Sequence, residues 1–212
     1  MRHTPHYILD DETEIKRLVR ENPWVTFVSQ NDDGMTASHY PTLLDEDAAG
    51  IVLLTHFGRP DEKLHGIGSG RDMLMIVQGP HGYISPSWYA PGDMVPTWNH
   101  VTAHLYGVPE VLSHEQNLVV LERLVDHFEE GMPDARSLRI DPQAASKLAK
   151  GTVGLRIPIT RVEARKKLSQ NRTDVDRTSI IEHLEGDGRY SHPGLADEMQ
   201  RVEGNHPSEN LE

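Results

Sequence analysis

Thr55 and His56 close an apolar run and are followed, in a turn-like segment, by Arg59 and Lys63. Short donors backed by two long cations are what a phosphate group needs, because an anion is held by charge-assisted hydrogen bonds. The same residue types occur on ordinary loops, so the pattern specifies an anion without naming its owner. Farther on, the stretch 78–107 reads QGPHGYISPSWYAPGDMVPTWNHVTAHLYG and carries Trp88, Trp98, Tyr83, Tyr89, Tyr106 and four prolines. Prolines fix the backbone where the chain turns, and the rings offer flat apolar faces with one polar handle each. That suits the wall of a pocket or a subunit interface, and equally a plain strand–loop–strand with a stiffened turn. A ring system with polar edges would find stacking faces in Trp88 and Trp98 and hydrogen-bond partners in Ser38 and His39.

Other chemistries are excluded. The chain has no cysteine, which removes disulfides, thiolate metal sites and a thiol nucleophile. It has no glycine-rich dinucleotide fingerprint, no P-loop and no nucleophile elbow. His100 and His104 have the spacing of a helical zinc pair, but their neighbours are β-like; on a strand they would stand about 13 Å apart. His39, His56, His81, His100 and His104 could each act as a general acid near neutral pH, and their positions in the sequence do not choose among them. The densest basic run, 161–172, reads as a solvated strand face or an anion site.

The 212 residues suffice for one substantial domain with helical additions. Apolar residues at 36% and charged ones at 25% fit a soluble globular protein. No apolar run is long enough to span a bilayer and the polar N-terminus does not read as a signal peptide, so a cytoplasmic protein is expected. The formal net charge of -12 repels nucleic acid at long range, although the 13 histidines would raise it below about pH 6.5.

Positioning falls to short strands with helices at intervals. An amphipathic helix is expected over 11–21, strands over 24–29, 35–44, 51–56 and 73–78, and a short helix around 61–65. Further strands are expected at 82–85 and 102–112. Ser113 and Gln116 form a capping box that opens a helix ending near Gly131, and Pro142 opens another over 143–150. The stretch 153–168 reads as one long strand broken near Pro158 by a bulge. Helices follow at 174–184 and 193–202, then a polar end, 203–212, expected to fray. The class is α+β, mainly antiparallel β, a barrel with peripheral helices. The division is a main domain over 1–185 and a C-terminal helix with tail over 186–212.

Three separated segments, QGPHGYISPSWY, VPTWNHVTAHLYG and KLSQNR, resemble the PaiB family, known as FMN-binding negative transcriptional regulators. The resemblance runs from about His3 to about Leu184. It implies the split β-barrel shared with pyridoxine phosphate oxidases and flavin reductases, and a homodimer with non-covalent FMN at the subunit interface. The family's flavin-edge motif falls on Ser38, His39, Tyr40 and Pro41. Its phosphate-side segment, His-x-Ala-Arg-Ala-Asn-Pro, falls on His56-Phe57-Gly58-Arg59-Pro60-Asp61-Glu62, where His and Arg match and Ala-Asn-Pro does not. Trp98-Asn99 and the segment 167–171, with Gln170 and Asn171, complete the match. The implied flavin site is therefore Ser38, His39, Pro41, Thr55, His56, Arg59, Lys63, Trp88, Trp98, Asn99, Gln170 and Asn171. Trp88 and Tyr89 could instead be retained to hold a dimer together. Three functions follow: a flavin-binding regulator or sensor, a flavin-dependent oxidoreductase in which FMN carries the electrons, or a barrel of the same kind that takes haem on a histidine. The residues favour the first, because no proton-transfer pair or nucleophile stands out.

Overall fold

A computed structural model describes residues 4–92 and 95–203. Of the end expected to fray, everything from 204 onward lies outside the described residues. In chain order the described elements are β1 (Ile8–Leu9), α1 (Glu12–Glu21), β2 (Trp24–Asn31), β3 (Gly34–Leu44), β4 (Val52–Gly58) and α2 (Arg59–Leu64). Then come β5 (Met73–Ile84), β6 (Thr97–Gly107), β7 (Glu110–Val111), α3 (His114–Glu129), α4 (Pro142–Lys150), β8 (Thr152–Pro158), β9 (Arg161–Lys167), α5 (Asp174–Glu185) and α6 (Pro193–Glu203). They fall into two compact units. The larger comprises residues 10–77 and 103–163; the described part of the smaller comprises 4–9, 78–102 and 164–203.

In the larger unit β2 pairs antiparallel with β3 and, on its other edge, with β5; β3 pairs with β4, β4 with β8, and β8 with β7. Strand alternation sets the layers. Val25, Phe27 and Ser29 of β2 are buried, while Trp24, Thr26 and Val28 face the other way. β4 is apolar on both faces because both are covered. Phe57 packs edge-on against Phe27 with centroids 5.1 Å apart, and Leu54 packs against Val120 and Leu124 of α3. Each such fully buried side chain contributes about 1.5–3 kcal/mol. α1 starts where Asp11 accepts hydrogen bonds from the amides of Thr13 and Glu14, and it buries Ile15, Leu18 and Val19. The Ser113–Gln116 capping box closes on α3 as its spacing requires. Caps of this kind contribute about 1 kcal/mol each.

In the smaller unit β1 pairs antiparallel with β9, Ile8 opposite Arg165. α5 buries Ile180, Ile181 and Leu184, and α6 buries Leu195, Ala196 and Met199. Arg177 is buried too, and its guanidinium donates to the carbonyls of Leu168 at 3.0 Å and Met199 at 3.2 Å.

Three expectations change. The strand expected over 102–112 is two: β6, which already begins at Thr97 and ends at Gly107, and β7, which pairs with β8. The strands at 73–78 and 82–85 are one strand, β5, which continues through Gly79, Pro80 and Gly82. A Cβ on Gly82 would lie 3.0 Å from the Leu195 side chain, so glycine there serves close packing and does not end the strand. The stretch 153–168 is two strands with different partners: β8 pairs with β4 and β7, β9 with β1. The link between them, Ile159 and Thr160, hydrogen-bonds to the carbonyls of Ile51 and Tyr106, each at 2.9 Å. Among the described residues no helix is long and apolar enough to cross a membrane.

Candidate functional site

In the larger unit β4 ends at Gly58 and α2 begins at once, so Arg59 and Lys63 stand one helical turn apart on the same side. Both line an open cavity of about 600 Å³ with Thr36 of β3, and Asp33 on the β2–β3 turn supplies a carboxylate at the same wall. The Arg59 guanidinium donates to Glu62 at 2.8 Å across an exposed ion pair. Lys63 is exposed. Two long cations and a hydroxyl on one concave surface fit a phosphate group, with Glu62 and Asp33 as competitors for the charge.

Beside this wall runs a polar chain whose members were not among the expected site residues, Ser38 apart. The Ser38 hydroxyl donates to Asp61 Oδ2 at 2.8 Å, and the Tyr40 hydroxyl donates to the same oxygen at 2.7 Å while accepting from the Gly58 amide at 3.1 Å. Ser38 Oγ also lies 3.0 Å from His65 Nε2, and Ser29 Oγ lies 2.8 Å from His65 Nδ1. Because Ser38 gives its proton to Asp61, His65 Nε2 must donate to Ser38 and Nδ1 must accept from Ser29; the neutral imidazole satisfies both. The donated bonds from Tyr40 and Ser38 hold the Asp61 carboxyl below its usual range. Burial, and then the bond to Asp61, raises the Tyr40 phenol. Burial lowers His65, against the opposing pull of Asp61. Asp61 and Glu62, the acids at the departure from the family segment, thus both have partners inside this unit.

Strand alternation separates sequence neighbours. Thr36, Ser38 and Tyr40 share the inner face of β3, whereas His39 and Pro41 point to the opposite one, where His39 stacks on Trp24 with centroids 6.3 Å apart. On β4, Thr55 is fully buried and its hydroxyl donates to the Pro41 carbonyl at 2.7 Å. His56 faces the other way, with a buried Nδ1 that has no hydrogen-bond partner, and burial lowers its pKa. Of the expected residues in this unit, the cavity therefore gathers Arg59 and Lys63, Ser38 sits in the adjoining polar chain, the His56 ring meets the Tyr40 ring of that chain edge-on with centroids 5.8 Å apart, and the side chains of Thr55, His39 and Pro41 are directed elsewhere.

The remaining expected residues lie in the smaller unit. Trp88 ends a short 3₁₀ turn capped by Ser85 and stacks on His183 with centroids 5.0 Å apart. Trp98 is 57% exposed and stacks loosely on His81. Asn99 is fully buried and exchanges hydrogen bonds with Ser169 Oγ at 3.0 and 3.1 Å. Ser169 takes φ 61°, a left-handed conformation that a non-glycine residue adopts only when its surroundings compensate. Gln170 supplies part of that compensation. Its amide donates to the Lys166 carbonyl at 2.7 Å and its oxygen accepts from the Leu168 amide at 2.7 Å. Asn171 accepts from the Tyr7 hydroxyl at 2.9 Å. In this unit Asn99, Gln170 and Asn171 build a turn, and Trp98 is the one of them whose face is open.

A family model described as "Putative FMN-binding domain" matches residues 1–161. The chain belongs to this FMN-binding family. FMN is its cofactor, and the resemblance to PaiB proteins is borne out. The chain is 28% identical over 200 residues to the protease synthase and sporulation protein PAI 2 of Bacillus subtilis, which covers 93% of this chain and 96% of that protein. It is 29% identical over 125 residues to the uncharacterized protein YKL070W of Saccharomyces cerevisiae, over 55% of this chain and 74% of that one. Among solved structures, the FAD and haem binding protein from Mycobacterium smegmatis superposes with a TM-score of 0.60 at 17% identity, over 86% of this chain and 80% of that one. The flavocytochrome Anf3 from Azotobacter vinelandii gives 0.60 at 12% identity, over 79% and 72%. At such identities the likeness speaks to the fold alone, the expected split barrel.

Proposed function

We propose that the protein is an FMN-binding sensor of regulatory role that works as a homodimer, with the flavin phosphate held by Arg59 and Lys63. The observation that carries this reading is the convergence of those two cations on one open cavity in a chain of an FMN-binding family. Thr36 and Ser38 lie on the same strand face and would serve the flavin's polar edge, while the Asp61 chain fixes the Ser38 hydroxyl. Bound FMN would supply electron transfer; the protein's part is to hold, orient and shield it.

The dimer is supported by the outer face of β5, β2 and β3. Leu74 and Ile76 stand level with Val28 and Thr26, and Trp24 and Met35 on the same face are 64% and 75% exposed. An apolar face of this kind marks an interaction surface, and a second copy is the occupant that places two flavin sites about one axis. Regulation through direct DNA binding is disfavoured by the formal charge of -12. We therefore place the protein in the cytoplasm, acting through a partner or a metabolite. A visible spectrum of the purified protein with flavin stoichiometry, followed by sedimentation, tests the reading. One FMN per chain in a dimer is expected. Turnover of NAD(P)H on an acceptor would replace the sensor with a reductase, and tight DNA binding at physiological salt would overturn the charge argument.

A further inference from the structure

The smaller unit carries a second concentration of positive charge, away from Arg59 and Lys63 in sequence and drawn from the basic run that reads as a strand face or an anion site. On β6, Asn99 and Val101 are buried, so Trp98, His100 and Thr102 share the opposite face. Lys167 of β9 donates to the Thr97 hydroxyl and, at 3.2 Å, to the Trp98 carbonyl, which sets the two strands side by side. β6 and β9 are neighbours in the sheet, and His100 feels the charges of both Arg165 and Lys167. His81 of β5 joins the group by stacking on Trp98 with centroids 6.5 Å apart.

Arg165 is the centre of this group. Its Nε is buried and has no hydrogen-bond acceptor. Its guanidinium rests 5.7 Å from the centroid of the Tyr7 ring, which supports the group without neutralising it. A buried N–H without an acceptor costs about 1–3 kcal/mol, more when charged. The acid two residues back on β9, Glu163, is taken up by Arg161. The imidazole of His100 is lowered first by burial and then by the like charges of Arg165, Lys167 and His81; Lys167 is lowered by burial and by Arg165. These cations oppose one another's charge. An anion placed among them would relieve the repulsion and supply the missing acceptor.

We propose that this face of the smaller unit, with Arg165, Lys167, His100 and His81, binds a small oxyanion, a carboxylate or phosphate group. The guanidinium fork and imidazole N–H groups give the directional donors that such a group accepts, and the Trp98 face beside them suits a planar or apolar remainder. The site does not depend on where FMN lies, and its test keeps the two apart.

The test uses the full-length, FMN-saturated protein titrated with inorganic phosphate and, separately, with succinate, followed by calorimetry and by the imidazole resonances of His81 and His100. Saturable binding is expected, with the His100 pKa rising as the anion binds. Arg165→Gln should weaken binding at least tenfold, whereas Lys166→Gln, the same charge change one residue along the strand, should stay within twofold. Arg165→Lys, which keeps the charge and loses the fork, should fall between them and serves if the glutamine variant does not fold. Equal loss in the Lys166 and Arg165 variants would reduce the effect to net charge and overturn the site. A loss of FMN affinity in Arg165→Gln as large as in Arg59→Ala/Lys63→Ala would make the anion FMN's own phosphate and overturn a separate site. No binding of either probe would overturn it as well.

Discussion

Glu62→Gln is the most informative change near the cavity, because it should tighten FMN binding. In the free protein Arg59 is held by Glu62 at 2.8 Å, its side chain 52% exposed and that of Glu62 23% exposed. Such a pair contributes about 0–1 kcal/mol to stability, so its loss should scarcely move the melting temperature. Binding is another matter. To hold a phosphate, Arg59 must leave Glu62 or share itself, and the carboxylate then faces the incoming anion. Removing that charge recovers the pair's worth and part of the repulsion, about 0.5–1.5 kcal/mol, which is roughly a two- to tenfold gain in affinity. Arg59→Ala with Lys63→Ala works the other way. Two charge-assisted hydrogen bonds at about 1.5–3 kcal/mol each, less the Glu62 pair already broken at about 0–1 kcal/mol, predict a loss of about 2–6 kcal/mol, on the order of 30- to 20,000-fold. Quenching of FMN fluorescence on titration reads both. Weaker binding in Glu62→Gln, or unchanged binding in the double variant, would refute the placement of the phosphate on α2 and move it toward the basic run 165–172.

Three further outcomes are expected. Gly154→Ala would bring a Cβ to 2.7 Å from Asn117 Oδ1 and 2.9 Å from Asn117 Cα, displacing a buried amide that donates to Ala149 and Thr152; a loss of about 2–4 kcal/mol is expected in urea unfolding. Stability should fall as pH drops below about 6.5: the pKa of His56 is lowered by burial in the folded chain, so the unfolded chain binds the proton first, and the loss grows until the folded pKa is reached. Thermal melts from pH 7.5 to 5.5 should show that slope, and His56→Gln should reduce it without abolishing it, because His65, His100 and His104 are lowered by burial as well; an unchanged slope would remove His56 as a source. Ile76→Asp with Trp24→Asp, on the apolar outer face, should give a folded monomer by sedimentation, and a dimer that persists would put the interface elsewhere.

What the sequence made legible was what is local. Ser113 with Gln116 before α3 acts within three residues of itself, and that end falls where its spacing put it, while Asp11, expected inside the first helix, instead caps it one residue before Glu12. β4 read correctly as a strand because Val52, Leu53 and Leu54 are apolar in succession, as a strand covered on both faces must be. What depends on partners was not legible. Ser38-His39 and Thr55-His56 read as joint donors because they are adjacent, yet adjacency in a strand is what sends two side chains to opposite faces. The segment Lys167 to Asn171 read as a ligand motif, and it is a turn whose left-handed Ser169 is held by Asn99, 70 positions away.

Asp61 shows the same limit most sharply. Against the family pattern it stands as a departure on the phosphate side, an acid where an anion is to bind. In the fold its carboxylate is occupied by Ser38 and Tyr40, 23 and 21 positions earlier, and Tyr40 in turn caps the Gly58 amide just before Arg59. The acid is therefore not simply added to a phosphate site. It ties β3 to the start of α2 and orients the polar edge beside the cavity. On that reasoning Asp61→Asn should not act as Glu62→Gln does. The amide keeps an oxygen for only part of its two donors and brings its own N–H groups against them, so Ser38 is released and α2 loosens. FMN affinity should then fall by about five- to thirtyfold, in line with one disrupted bond to a charged acceptor at roughly 1–2 kcal/mol, although a negative charge has been removed. An increase in affinity would mean that Asp61 acts through its charge alone and that the chain from Ser29 to Gly58 plays no part in holding the site.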